Sequence, residues 1–152
     1  MMKRTLFFLT AGLWLGCGDD KVASVVTGAE ENPLDECTAP PVIAHDEIDN
    51  GQPADADVQI LAYVFADDGC EVEIMTVDLM YRQETASSWN KVTMTRGQEI
   101  DEWRGMIGSD SLTSAKIYYY LRAVDKAGQE SFLPDDAEAS LSNAFSFGVS
   151  TL

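Results

Sequence analysis

The chain has 152 residues, with 26 Asp and Glu against 10 Lys and Arg, which gives a formal net charge of −16. A charge this negative opposes binding to nucleic acid and to anionic lipid head groups, and it permits basic partners or divalent cations. The acids are scattered rather than gathered in one block, which is typical of a solvated surface.

Residues 1–16 have the three parts of a secretory signal peptide. Lys3 and Arg4 supply the positive start, "TLFFLTAGLWL" is the apolar centre, and Gly16 is a small residue before the candidate cleavage site. The apolar stretch is well short of the roughly 20 residues that span a bilayer as a helix, so no permanent transmembrane anchor is expected. Without this segment, eight Lys and Arg stand against 26 Asp and Glu, a net charge of −18.

The stretch "LWLGC", residues 13–17, resembles the lipobox of bacterial lipoproteins, whose cysteine is lipidated and becomes the first residue of the mature chain. Gly16 and Cys17 match that pattern, whereas Trp14 and Leu15 stand where the family usually has leucine and a small residue. The resemblance implies a lipidated Cys17 and, with two or more acyl chains, stable membrane tethering. The alternative is an ordinary signal peptide cut elsewhere, which leaves Cys17 free or discarded.

Residues 17–40 are interpreted as the lipidated cysteine and a flexible acidic linker, because they are rich in small, acidic and turn residues and lack periodicity. Residues 41–152 are a normal size for one domain with one core. With Cys17 occupied by lipid, Cys37 and Cys70 are an even pair in an exported protein, which predicts a disulfide bond.

From Val42 onward, short apolar segments alternate with turn signals. In chain order the strand candidates are "VIAHDEI", "DVQILAYVF", "EVEIMTVDLMYR", "WNKVTM", "EWRGMI", "KIYYYLRAV" and "NAFSFGV". Seven short strands at this spacing, without a convincing helical stretch, predict an all-β antiparallel sandwich.

Alternation of apolar residues assigns faces to three of these strands. The predicted inward sets are Val58, Ile60, Ala62 and Val64, then Val77, Leu79 and Tyr81, then Ile117, Tyr119, Leu121 and Ala123. Val72 and Ile74 are out of phase with Val77, which predicts a bulge near Met75–Thr76.

The predicted disulfide is consistent with a hairpin of the first two strands. If they pair antiparallel around "NGQPADA" with Ile43 opposite Val64, the numbers of opposed residues sum to 107. Cys37 and Cys70 also sum to 107, so the bond would close the hairpin at its open end. Closing a loop of this length removes unfolded-state entropy worth about 3–4 kcal/mol.

Three short patterns in the strand region carry a family resemblance. Tyr81–Arg82 ends one strand as "YR", Trp89–Met94 fits "W..V.M", and Tyr119–Gly128 fits "YY..A.D..G". Over residues 40–150 the chain is similar to the immunoglobulin-like, fibronectin-III-like domains of bacterial surface and secreted proteins. The resemblance implies an immunoglobulin-like β-sandwich that serves as a spacer, adhesion unit or accessory domain.

Motifs for catalysis are absent from the sequence. His45 is the single histidine and is interpreted as a half-exposed residue of the first strand rather than a catalytic base. The chain contains no G-x-S-x-G, H-E-x-x-H, G-x-x-x-x-G-K or G-x-G-x-x-G motif. Neither an enzyme nor a cofactor is therefore expected.

Acidic turns are candidates for a metal site. "DEIDNG", residues 46–51, fails as an EF-hand loop because Ile48 stands at its third place and Asp57, rather than Glu, at its twelfth. Asp is also common in turns for conformational reasons alone. No metal site is predicted, and the weak candidates for a looser oxygen cluster are Asp67, Asp68 and Asp125.

Aromatic residues give the remaining indication of binding. Tyr118 and Tyr120 are expected on an outer sheet face, with Trp89 or Trp103 nearby, where they could stack against sugars or a protein partner. The alternative is that they cover the sheet under a loop or form cross-strand pairs. Unpaired edge strands could also accept a partner's strand.

These features predict a non-enzymatic lipoprotein of the bacterial cell envelope that presents one immunoglobulin-like module for protein–protein interaction or a structural role. Its expected partners are the membrane, through the lipid anchor, and an envelope or extracellular protein, but not nucleic acid. Gly18 rather than Asp follows Cys17, which favours the outer membrane. The alternative function is a calcium- or carbohydrate-binding accessory module at the cell surface.

Overall fold

The computed structural model describes residues 39–66 and 72–150. Their strands are β1 Val42–Ala44, β2 Gln52–Pro53, β3 Val58–Phe65, β4 Ile74–Gln83, β5 Asn90–Thr93, β6 Thr95–Arg96, β7 Glu102–Ile107, β8 Lys116–Asp125, β9 Glu130–Leu133 and β10 Phe145–Ser150. A short 3-10 helix, Ser109–Ser111, follows β7.

These strands form two sheets. One has the order β1-β3-β7-β6, and the other has the order β2-β10-β8-β4-β5, with β9 also paired to β8. The β2–β10 pair is parallel and the other described pairs are antiparallel. The order corresponds to strands A, B, E and D of an immunoglobulin sandwich in one sheet and to strands G, F and C in the other. The predicted all-β immunoglobulin-like sandwich is confirmed.

Each of the seven predicted segments contains a strand, and three further strands were missed. β2 and β6 have two residues each, and β9 has four, so none is long enough to show a clear alternation. The first predicted segment was extended too far. Its strand ends at Ala44, and residues 45–48 belong to a loop.

The predicted inward faces of β3, β4 and β8 are confirmed. All the residues predicted to face inward from β3 and β8 are at most 4% exposed, and so are Val77 and Leu79 of β4. Tyr81 of β4 is partly buried and packs against this core. The register between β4 and β8 shifts between Ile74 and Thr76, which confirms the predicted bulge. Trp103, Ile107 and Phe147 complete the interior between the sheets.

The first part of the chain is divided between the two sheets. β1 pairs with β3, with Ile43 opposite Val64 as predicted, whereas β2 pairs with β10. Residues 45–51 therefore cross from one sheet to the other. The predicted simple hairpin is corrected in this respect, because the chain between β1 and β3 contributes a strand to the opposite sheet.

Candidate functional site

The edge of β3 that faces β1 is only partly paired. β1 covers three residues of it, and Ala44 opposite Tyr63 is the last pair. On its other side, β3 pairs with β7 from Val58 to Tyr63. Along Val58–Leu61, no strand of the described chain pairs with the β1-facing edge.

Alternate residues of β3 direct their backbone groups toward this open edge. The Val64 amide donates to the Asp101 carbonyl at 2.9 Å, on the β7 side of the strand. Because backbone direction alternates along an antiparallel strand, Leu61 and Gln59 direct their N–H and C=O groups to the opposite side. A further strand at this edge would complete those hydrogen bonds.

His45 ends the ladder between β1 and β3. Its Nδ1–H donates to the Leu61 carbonyl at 2.6 Å. If β1 continued, a backbone amide of β1 would donate to this carbonyl instead. The Nε2 of His45 accepts from the Tyr119 hydroxyl at 2.9 Å. The Tyr119 oxygen in turn accepts from the Ile48 amide at 3.2 Å. This pattern assigns a neutral imidazole protonated at Nδ1, and it places His45 in a loop instead of the predicted strand.

Burial keeps both groups of this network uncharged. Desolvation lowers the pKa of His45, against the opposing effects of the Leu61 carbonyl and the charges of Asp46 and Glu47. Desolvation also raises the pKa of the Tyr119 hydroxyl to about 12. At neutral pH the Tyr119 hydroxyl can therefore donate to an unprotonated Nε2.

A cavity of about 460 Å³ lies beside the open edge. This volume falls within the range of small ligand pockets, about 300–1,000 Å³. The described residues that line it are Ala44, His45, Asp46, Glu47, Ile48, Asp49, Gln52, Asp57, Val58, Gln59, Leu61 and Tyr63. They come from the end of β1, from the chain between β1 and β3, and from β3 between Val58 and Tyr63, so the cavity lies along the open edge.

The charge of this cavity is negative. Its described lining includes four acids and no lysine or arginine. Asp46, Glu47 and Asp49 are exposed in the loop, and the Asp57 carboxylate accepts from the Ser109 amide at 2.8 Å. Within the described residues, no group of three or more His, Cys, Asp or Glu side chains is placed to hold a metal ion. The dispersed acids favour a positively charged group over a chelated cation.

Hydrogen bonds hold the loop that forms one wall. Besides the contact of Ile48 with Tyr119, the Asn50 side-chain oxygen accepts from the Gly148 amide at 2.7 Å. The Gly51 amide donates to the Gly148 carbonyl at 2.9 Å. Gly51 has a φ of 89°, a conformation that favours glycine. These hydrogen bonds fix the position of the wall.

The predicted aromatic face is not a single exposed surface. Tyr120 is 2% exposed, and the half-buried Trp89 packs edge-on against it with ring centroids 4.8 Å apart. Phe132 packs beside Tyr120 at 6.3 Å, and Ala137, in the segment after β9, is fully buried. Burial and then the charge of Glu138 raise the pKa of the Tyr120 hydroxyl. A loop covers this part of the sheet, which is the alternative that the sequence left open.

The other two predicted aromatic residues lie on different surfaces. Trp103 faces the interior opposite Ala62, is 6% exposed, and has the Arg96 guanidinium 4.6 Å from its ring. Tyr118 is half-buried, with the Lys116 ammonium 5.3 Å from its ring. The prediction that Trp103 joins the outer face is corrected, because β7 directs it into the core.

Asp125 is a buried residue of the β8–β9 turn. Its carboxylate accepts from the Gln129 amide at 2.8 Å, and its carbonyl accepts from the Gly128 amide at 3.1 Å. The remaining predicted site residues lie outside the described residues: Cys17, Cys37, Asp67, Asp68 and Cys70. Lipidation and the disulfide therefore stay predictions.

Sequence reasoning did not identify the cavity at β3. The sequence pattern of its lining suggests only a failed EF-hand loop and parts of two strands. The signal that points to it is the polar run at residues 45–47, directly after three strand residues. Such a run is too polar to continue a half-buried strand, so it marks the place where the chain leaves the edge.

Comparison with known proteins yields no matching family model and no matching curated protein. Among solved structures, an endo-β-1,4-mannanase from Thermotoga petrophila is similar at 7% identity with a TM-score of 0.48. That match covers 76% of this chain and 21% of the mannanase, so the chain spans about a fifth of that enzyme's length.

Two further structures are similar over most of their own length. A superoxide reductase (neelaredoxin) from Ignicoccus hospitalis has 12% identity and a TM-score of 0.41, over 73% of this chain and 80% of the reductase. Murine CRIg has 9% identity and a TM-score of 0.36, over 73% of this chain and 97% of CRIg. At such identities these similarities concern the fold alone.

In residues 39–66 and 72–150, no helix has the length and apolar content needed to cross a bilayer.

Proposed function

We propose that this chain is a non-enzymatic, lipid-anchored protein of the bacterial cell envelope whose immunoglobulin-like domain binds another protein. The observation that carries the proposal is the open edge of β3 along Val58–Leu61, which lies beside a cavity of about 460 Å³. Because a sandwich fold does not specify a function, the proposal is based on this site and not on the fold.

A binding role agrees with the chemistry of the site. Unpaired backbone groups on a strand edge are completed by a partner's extended chain, which is a common mode of peptide recognition. The single histidine does not offer a free base, since both ring nitrogens of His45 are engaged by Leu61 and Tyr119. The site therefore supports recognition better than proton transfer.

The proposed localisation is the outer membrane. Lipid on Cys17 would anchor the chain there, and the acidic segment up to residue 40 would connect the lipid to the domain. The signal-like residues 1–16 and the lipobox resemblance support this localisation. Lipid anchoring would confine the domain near the membrane surface, where envelope and extracellular proteins are the available partners.

Site-specific photocrosslinking in the native host tests the proposed function. A photoreactive benzoylphenylalanine replaces one exposed residue at a time: Gln59 at the open edge, Glu84 after β4, Met106 in β7 or Ala127 in the β8–β9 turn. The expected result is a crosslink to one envelope protein from Gln59 and none from Ala127. If no position captures a protein while the chain is present and folded, the proposal is wrong.

A further inference from the structure

We infer that the cavity beside β3 takes an extended peptide segment that carries lysine or arginine at alternate positions and pairs with the open edge as an additional strand. This inference rests on the proposed protein-binding function and names the chemistry of the partner. It combines two independent observations, the unpaired backbone of β3 and the negative charge of the adjoining loop.

The backbone of β3 defines how the segment would bind. The N–H and C=O groups of Gln59, together with the Leu61 N–H, face the side that β1 leaves after Ala44. The Leu61 carbonyl is already used by His45, which fixes where the vacant edge begins. A short strand could therefore occupy the position that β1 would have reached by continuing.

The charge of the loop defines which side chains the segment would carry. Asp46, Glu47 and Asp49 are exposed around the cavity, and none of them forms an ion pair with another described residue. Successive side chains of a strand point to opposite faces, so every second residue of the bound segment would face the same wall. Basic residues at those positions would meet the acids, and apolar or polar residues would occupy the others.

The chain itself is a poor occupant of this site. Residues 18–36 contain six acids and one lysine, so their charge opposes the acidic wall. A second copy without residues 1–16 carries the same formal net charge of −18 and would be repelled in the same way. An outside partner with a basic segment fits the site better on charge.

Synthetic peptides test the inference on the full chain in a neutral detergent. The first is an end-capped eight-residue peptide that alternates lysine and valine. The second replaces each lysine with glutamate, and the third keeps lysine but carries N-methyl groups on alternate amides. We expect the first to bind, and the other two to bind at least about tenfold more weakly, because they lack the charge and the strand hydrogen bonds respectively.

Two pairs of variants locate the binding site. Gln59→Pro removes an amide N–H that faces the open edge, a position where proline is tolerated. Gln59→Val is its control, because the amide N–H remains.

The double variant Asp46→Asn, Glu47→Gln removes two acids of the cavity. Its control is Glu84→Gln, Asp135→Asn, which removes two exposed acids elsewhere. We expect Gln59→Pro and the first double variant to weaken lysine peptide binding at least about fivefold, and the two controls to bind normally. Circular dichroism melting confirms that each variant is folded.

Several results would overturn the inference. One is that the N-methylated peptide binds as strongly as the unmodified lysine–valine peptide. Binding would then result from general attraction to an acidic surface and not from strand pairing. Another is a tenfold or greater gain in peptide affinity when residues 18–36 are deleted, which would make that segment the occupant. A dimer that Gln59→Pro dissolves would make a second copy the occupant.

Failure of this inference can be distinguished from failure of the proposed function. If no peptide binds, yet photocrosslinking captures a protein partner from Glu84 or Met106, the protein interaction stands and its site lies elsewhere. If no peptide binds and no position gives a crosslink, both are wrong.

Discussion

His45 connects three parts of the molecule through one imidazole ring. It forms hydrogen bonds with the Leu61 carbonyl on β3 and with the Tyr119 hydroxyl in the core. That hydroxyl accepts a further hydrogen bond from the amide of Ile48, which lies in the loop after β1. With His45 neutral, Nδ1 donates to Leu61, Nε2 accepts from Tyr119, and the Tyr119 oxygen accepts from the Ile48 amide. Protonation of Nε2 would remove that acceptor and require the Tyr119 hydroxyl to turn and accept instead.

Acidification is expected to destabilise the protein through His45. Folding lowers its pKa below the ordinary value of 6.5, so the unfolded chain binds more protons as the pH falls through that range. The free energy of unfolding should then decrease from about pH 7.5 to about pH 5.5, whereas His45→Gln should show a smaller decrease. Urea denaturation of both proteins at each pH measures the difference. An equal decrease in both would assign the effect to other groups.

Tyr120 is expected to act as a core residue despite lying on the outer side of its strand. Tyr120→Ala should lower the free energy of unfolding by about 3–5 kcal/mol, as other truncations of large buried aromatics do. Tyr118→Ala, at a half-buried position on the same face, should cost about 1 kcal/mol. Chemical denaturation measures both values. Similar small losses for the two variants would contradict the covering of Tyr120 by Trp89 and Phe132.

At the scale of the strands, the register of β1 with β3 is the one assumed in predicting the disulfide. Ile43 lies opposite Val64, so that premise of the prediction is confirmed. Both cysteines lie outside the described residues, so the bond itself is still a prediction.

Reduction is therefore expected to lower the free energy of unfolding by about 3–4 kcal/mol, the contribution of a loop closure of this length. Peptide mapping without reductant should recover Cys37 linked to Cys70. The double variant Cys37→Ser, Cys70→Ser is the control, since its stability should not respond to reductant. Free thiols at both positions in the purified protein would show that the bond is absent.

Strands of six to ten residues were predictable because each has one apolar face. In β3 and β8, alternate side chains are buried between the sheets, and this burial is visible as a period of two in the sequence. The burial of Tyr120 was not predictable in the same way. A period of two separates the two faces of a sheet but carries no information on a loop that covers the outer one.

The candidate site was hidden from sequence reasoning for a related reason. Its position depends on where β1 stops, and the polar run at residues 45–47 is the single local indication of that end. The contact that ends the strand joins His45 to residues 16 and 74 positions away. Such long-range contacts decide where a strand ends, and the local alternation of apolar and polar residues does not reveal them.

At the scale of the whole molecule, membrane attachment is expected to depend on Cys17. Cys17→Ser should move the protein from the membrane to the soluble fraction in its host, because the acyl chains supply the binding energy. Its melting temperature should stay within about 2 °C of the wild type, since the fold lies in later residues. Intact mass of the detergent-extracted wild type should show the lipid. A Cys17→Ser variant that stays in the membrane fraction would contradict lipid anchoring.

The parallel pairing of β2 with β10 has a mechanical consequence. Gly51 and Ala54 donate to the Gly148 and Ser150 carbonyls, so adjacent strands run in the same direction at this margin of the sheet. A pull that separates residue 39 from residue 150 would slide these strands along each other and load their bonds together. With this direction of pull, the hydrogen bonds are loaded at the same time and do not break one after another. If lipid on Cys17 anchors the domain, a force that pulls residue 150 away from residue 39 would therefore load the β2–β10 pair in shear.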